Sequence, residues 1–125
     1  PLPEAMSLES LTDAVVAFRN ERDWAQFHTV KNLSAALAIE AAELQELLLW
    51  KNDGEVDDFV RSKAGHREVS DEVADVMIYA LLLCDAAGID PSAAIRVKLE
   101  KNAAKYPVDL AKGSAVKYDK LPKTE

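Results

Sequence analysis

The stretch Val30-Lys-Asn-Leu-Ser-Ala-Ala-Leu-Ala-Ile-Glu40-Ala-Ala-Glu43-Leu-Gln-Glu-Leu-Leu-Leu-Trp50-Lys51 decides the fold. Leu33, Leu37, Leu44, Leu47 and Leu48 recur at helical spacing, which predicts a helix from about Val30 to Lys51. Ala35, Ala36, Ala38, Ala41 and Ala42 are small enough to let another helix approach closely. Asn52-Asp53-Gly54 then reads as the stop. The row 33, 36, 40, 43, 47, 50 is Leu, Ala, Glu, Glu, Leu, Trp, so two acids interrupt an apolar stripe. Residues three apart share a helix face, and Glu40 and Glu43 therefore aim the same way.

The pattern returns downstream. A helix expected from near His66 to about Ala87, stopped by Gly88, carries Glu72-Val-Ala-Asp75. Its row 69, 72, 76, 79, 83 is Val, Glu, Val, Tyr, Leu, with Asp75 alongside. Acid pairs at this spacing ordinarily sit on solvated faces and pair with lysines. Here Lys and Arg are absent from 32 through 50 and from 68 through 95, so neither helix offers a cation near its acids. Ionised carboxylates resist burial without a partner, and two such faces opposed would need a cation between them. An all-oxygen ligand set favours Mg²⁺, Mn²⁺ or Ca²⁺, whereas zinc favours His or Cys. A di-iron bundle uses Glu-x-x-His pairs, and neither pair here supplies a histidine. Mg²⁺ shares its shell with water and substrate phosphates, which points to phosphate chemistry.

The remaining chain fits one all-α domain spanning 1–125. Apolar residues make up 49%, with only four glycines and five prolines, which favours long helices over a turn-rich β fold. Residues 1–6 read as a loose lead-in, and Ser7 caps a first helix through about Arg22, with Leu8, Leu11, Val15 and Phe18 on one face. Asp23 to Thr29 reads as a loop carrying Trp24, Phe27 and His28; residues 55–66 read as a short helix or ordered connection. Asp90-Pro91 opens a last helix through about Lys105, and Tyr106-Pro107 stops it. The tail, 108–125, has no periodicity and is expected to be extended. A net charge of −7 argues against a nucleic-acid polymer as partner, since such binders carry a basic footprint. The single cysteine, Cys84, excludes an internal disulfide and is expected to be buried. No apolar run reaches membrane-span length and no signal peptide is visible, so a cytoplasmic location is expected.

Glu-x-x-Glu, 28 residues, then Glu-x-x-Asp resembles the signature of the all-α nucleoside triphosphate pyrophosphatases, the MazG-like superfamily. The chain is more closely similar to the dCTP pyrophosphatase branch, through Glu21-Arg-Asp-Trp-Ala-Gln-Phe-His28, Lys31-Asn-Leu33, Trp50-Lys51, Tyr79, Asn102, Lys105-Tyr-Pro107 and Lys117-Tyr118. The likeness runs from about residue 8 to 122. It implies a MazG-like four-helix-type bundle, assembled as a homodimer or a tetramer of two dimers. It further implies Mg²⁺-dependent hydrolysis (Mn²⁺ serving in its place) of a nucleoside triphosphate to monophosphate and pyrophosphate, as nucleotide-pool sanitation. Carried over by position, Glu40, Glu43, Glu72 and Asp75 would be catalytic metal ligands. Trp24, His28, Trp50 and Tyr79 would line the nucleoside pocket. Lys98 and Asn102 would contact phosphate or sugar, and Lys105, Tyr106, Lys117 and Tyr118 would reach phosphate.

One departure bears on the base: eukaryotic members of that branch carry a histidine near the place held here by Val15. The expected substrate is dCTP or a modified dCTP, with dUTP or phosphoribosyl-ATP as alternatives on the same fold. A reading of another class also stands at this level, a non-catalytic helical oligomeric module whose acids are salt-bridged between subunits.

Overall fold

A computed structural model describes residues 1–122, and every described element is helical. The chain divides into two compact units, Pro1–Ile89 and Asp90–Glu125. The first contains α1 (Leu8–Glu21), α2 (Val30–Leu48), α3 (Asp53–Arg61) and α4 (Lys63–Ala87). The second contains α5 (Pro91–Lys105), the single turn α6 (Val108–Ala111) and a 3₁₀ turn at Tyr118–Lys120. No helix among the described residues is long and apolar enough to cross a membrane.

In the first unit α1, α2 and α3 all pack on α4. Helix starts follow capping chemistry. The side chains of Ser7, Thr29, Asn52 and Ser62 each accept a hydrogen bond from the backbone N–H three residues on, satisfying a donor that the helix itself leaves free. Asn52 and Glu55 form a reciprocal capping box. Ser62 ends α3 and begins α4, so the two helices meet at a corner with no spacer. α4 closes at Gly88, whose φ of 69° is left-handed and suits a residue without Cβ.

That corner depends on Gly65, which is buried in the first turn of α4. A Cβ there would lie 1.9 Å from the Phe59 carbonyl oxygen and 2.8 Å from Ser62 Oγ. Alanine ordinarily gains about 1 kcal/mol over glycine inside a helix. The clash is with backbone, which cannot swing away, so overpacking wins. Gly65→Ala is expected to lower unfolding stability by about 3 kcal/mol, read as a fall in the urea midpoint at unchanged m-value. A midpoint equal to or above wild type would show the corner to be loose.

The interior is small. Leu33 on α2 and Leu82 on α4 are the fully or nearly buried apolar side chains among the described residues. Ile39 on α2 and Met77 on α4 stay 58% and 57% exposed. Burying one Leu side chain stabilises by about 1.5–3 kcal/mol, so two leave much apolar surface open.

Several expectations need correction. α2 ends at Leu48 and not Lys51, because Leu49 turns extended and Trp50 takes a positive φ of 68°. α4 starts at Lys63, three residues before His66, because Ser62 provides the cap. The tail is not extended throughout: Pro107 precedes the turn α6, and Tyr118–Lys120 is 3₁₀. Residues 123–125 of that predicted tail lie outside the described residues. Cys84 is half-buried where full burial was expected.

Candidate active site

α2 and α4 run past each other so that their acids meet. Oxygens of Glu40, Glu43 and Glu72 all lie within 4.8 Å of one another. Asp75 stands outside this trio, yet its charge is felt at both Glu40 and Glu72. The acids are less enclosed than their apolar stripes imply. Glu43 and Asp75 are exposed, Glu40 and Glu72 half-buried. Shielding is confined to one oxygen each: Oε2 of Glu40 and Oε2 of Glu72 are closed off from solvent and have no hydrogen-bond partner. No ion pair found among the described residues involves any of the four acids.

The electrostatics follow from crowding. Desolvation of its carboxylate pushes the Glu40 pKa up from 4.5 to about 7, reinforced by the adjacent Glu43 carboxyl and by the charges of Asp75 and Glu72. Desolvation and the Glu43 charge raise Glu72 as well. Hard oxygen donors, two of them shielded and unpaired, in a field that resists ionisation, are a donor set for a divalent cation. The residues present fit that ion.

A pH dependence results. A carboxyl whose folded pKa exceeds its unfolded one holds a proton that the unfolded chain has shed, so it stabilises the fold at low pH. With the metal chelated, this contribution is complete below about 4.5 and is lost as pH rises through about 7. Thermal unfolding in EDTA is therefore expected to show wild type losing stability relative to Glu40→Gln between pH 5 and pH 8. Apparent Mg²⁺ affinity is expected to change in the opposite sense, weakening below pH 7 as the ion displaces that proton. Parallel pH curves for the two proteins would contradict the coupling.

A second group of predicted residues gathers on the loop between α1 and α2. Phe18 meets Trp24 edge-on at 5.8 Å between ring centroids, and Trp24 meets His28 at 6.2 Å. The loop is pinned by its backbone: Arg19 O accepts the Trp24 N–H, and Trp24 O accepts the N–H groups of Phe27 and His28. The Asn32 side chain donates to Phe27 O. Desolvation and the Arg19 guanidinium lower the His28 pKa, so the imidazole favours its neutral form. Trp50, just after α2, is 92% exposed. Tyr79 is half-buried on α4.

Within the second unit, Lys105 Nζ sits 4.7 Å over the Tyr118 ring, and Tyr106 meets the same ring edge-on at 6.2 Å. The tail thus folds back on the end of α5 and gathers three of the residues expected to reach phosphate. Lys98 and Lys117 are exposed and Asn102 is half-buried. Arg19, with its partner Asp85, was missed by the sequence reading. Its only signal was an acid in the last turn of a helix, where the macrodipole disfavours one.

Residues 35–121 match the model of the MazG-like family. The chain belongs to that family. It is 38% identical to dCTP pyrophosphatase 1 of Rattus norvegicus over 117 residues, covering 94% of this chain and 69% of the rat protein. The Homo sapiens protein of the same name is 38% identical over 116 residues, covering 93% and 68%. Among solved structures, a pyrophosphatase from Archaeoglobus fulgidus superposes with a TM-score of 0.73 at 40% identity, covering 86% of this chain and 99% of that one. All four acids, Trp50 and Tyr79 lie within the family match.

Proposed function

We propose that this MazG-like chain hydrolyses a nucleoside triphosphate, dCTP or a modified dCTP, to monophosphate and pyrophosphate. One observation carries the reading: Glu40, Glu43 and Glu72 converge within 4.8 Å, and no ion pair found among the described residues involves them. The relatives named dCTP pyrophosphatase 1 support the substrate. Glu40, Glu43, Glu72 and Asp75 would hold Mg²⁺, or Mn²⁺ in its place. The bound ion would neutralise charge developing on the phosphate oxygens.

The chain's own groups do the rest. A water attacks the α-phosphorus in line; its oxygen–phosphorus bond forms as the bridge to the β-phosphate breaks, and pyrophosphate leaves. Among the four acids Glu40 is proposed to accept the water's proton. Trp24, His28, Trp50 and Tyr79 are proposed to receive the nucleoside. Stacking on an aromatic contributes about 1–3 kcal/mol per base without choosing among bases. Lys98, Asn102, Lys105, Tyr106, Lys117 and Tyr118 are proposed for sugar and phosphate. The proposal treats the chain as one catalytic domain acting in the cytoplasmic nucleotide pool. It includes a homodimer or a tetramer of two dimers, an assembly favoured by the exposure of Ile39 and Met77.

A substrate panel tests the reading: dCTP, 5-substituted dCTP, dUTP and phosphoribosyl-ATP, with released pyrophosphate measured in Mg²⁺. Turnover led by a cytosine nucleotide is expected. A lead by dUTP or phosphoribosyl-ATP would keep the chemistry and replace the substrate. No turnover, and no binding of Mg²⁺ or a nonhydrolysable triphosphate by calorimetry, would favour the non-catalytic module.

A further inference from the structure

The aromatic loop is anchored to α4 through one side chain that the reaction does not use. Arg19, in the last turn of α1, is only 11% exposed. Its guanidinium is fixed from two sides. Nη1 donates to Asp85 Oδ2 at 2.7 Å, while Nε and Nη2 both donate to Asn20 Oδ1 at 3.1 and 3.0 Å. Its carbonyl accepts the N–H groups of Arg22 and Trp24. One residue therefore joins α4, the end of α1 and the first aromatic of the loop. Asp85 lies in the last turn of α4, where an acid opposes the helix dipole. The pair with Arg19, reaching across 66 residues of sequence, accounts for an acid in that place.

We infer that the Arg19–Asp85 ion pair is a brace that positions the Trp24–His28 platform for the nucleoside, making Arg19 a positioning residue and not a catalytic one. The inference rests on the proposed nucleotide reading. Charge-assisted bonds to a fixed guanidinium fork hold geometry better than an exposed Lys–carboxylate pair. Trp24 and His28 stand four residues apart at 6.2 Å, on a loop whose first backbone tie is Arg19 itself. Losing the brace frees the end of α1 from α4 and lets the platform drift, while the acids on α2 and α4 keep their places.

The experiment measures kcat and KM for Mg²⁺–dCTP in wild type, Arg19→Gln, Asp85→Asn and the charge-reversed double variant Arg19→Asp/Asp85→Arg. The single variants are expected to raise KM about tenfold with kcat altered less than about twofold. The reversed pair is expected to recover most of that loss. Iodide quenching of Trp24 in a Trp50→Phe background, without nucleotide, is expected to increase on Arg19→Gln. Wild-type kinetics in Arg19→Gln, or no recovery in the reversed pair, would overturn the brace alone. Absence of nucleotide binding by wild type would overturn the functional reading and the brace with it.

Discussion

Glu72→Ala is expected to lower turnover by about 10³-fold or more while leaving far-ultraviolet helicity unchanged. Removing one preorganised electrostatic contact to a developing oxyanion already costs roughly 10²–10³ in kcat, and Glu72 is one of three carboxylates that converge. Helicity survives because Ala is the best helix former and α4 is 25 residues long. Stability without metal is expected to rise, since the substitution takes a repelling charge away from Glu43 and Asp75. Opposite signs for activity and metal-free stability mark a site built for a ligand. A Glu72→Ala enzyme retaining near-wild-type, Mg²⁺-dependent rate would remove these acids from the reaction.

The second large effect belongs to Trp50. Its backbone φ of 68° is unfavourable for any residue with a Cβ, at about 1–2 kcal/mol, and its indole is 92% exposed. Truncating a tryptophan packed in a core costs about 3–5 kcal/mol. Trp50→Gly instead relieves the backbone and removes almost no packing, offset in part by glycine's entropy in the unfolded chain. Stability is therefore expected to hold or rise by up to about 1 kcal/mol in urea unfolding. If Trp50 stacks on the base, KM rises by about 10- to 100-fold, the kinetic equivalent of about 1–3 kcal/mol. A large loss of stability with unchanged KM would make Trp50 a packing residue.

Much of the fold was legible because the chain punctuates itself. Ser7, Gly88 and Asp90-Pro91 each mark a boundary that the structure reproduces, and each does so through a local hydrogen bond or a fixed φ. The end of α2 was not legible. Leu48-Leu49-Trp50 continues the apolar pattern, while the chain leaves the helix there through an extended Leu49 and a left-handed Trp50. α3 was only half read, although Asn52 and Glu55 already carried the spacing of a capping box. The tail hid α6 because a single turn has no periodicity to detect.

At the site, spacing alone placed Glu40 beside Glu43, and the absence of lysine and arginine nearby marked them as unpaired. That Glu72 joins them while Asp75 stands apart depends on how α2 crosses α4, which no local pattern encodes. Pairing of Arg19 with Asp85 was not legible for the same reason: the partners are 66 residues apart, and the acid at the end of α4 marks only one of them.

Binding of Mn²⁺ followed by electron paramagnetic resonance bears most directly on the convergence of these acids around a cation. Free Mn²⁺ gives a sharp six-line signal that vanishes on ligation, so occupancy is read without any turnover. Wild type at pH 7.5 is expected to deplete the signal in proportion to protein, and Glu72→Gln, with its acid neutralised at equal volume, to leave it free. Equal depletion by the two proteins, or none by wild type, would contradict a metal cradle between α2 and α4.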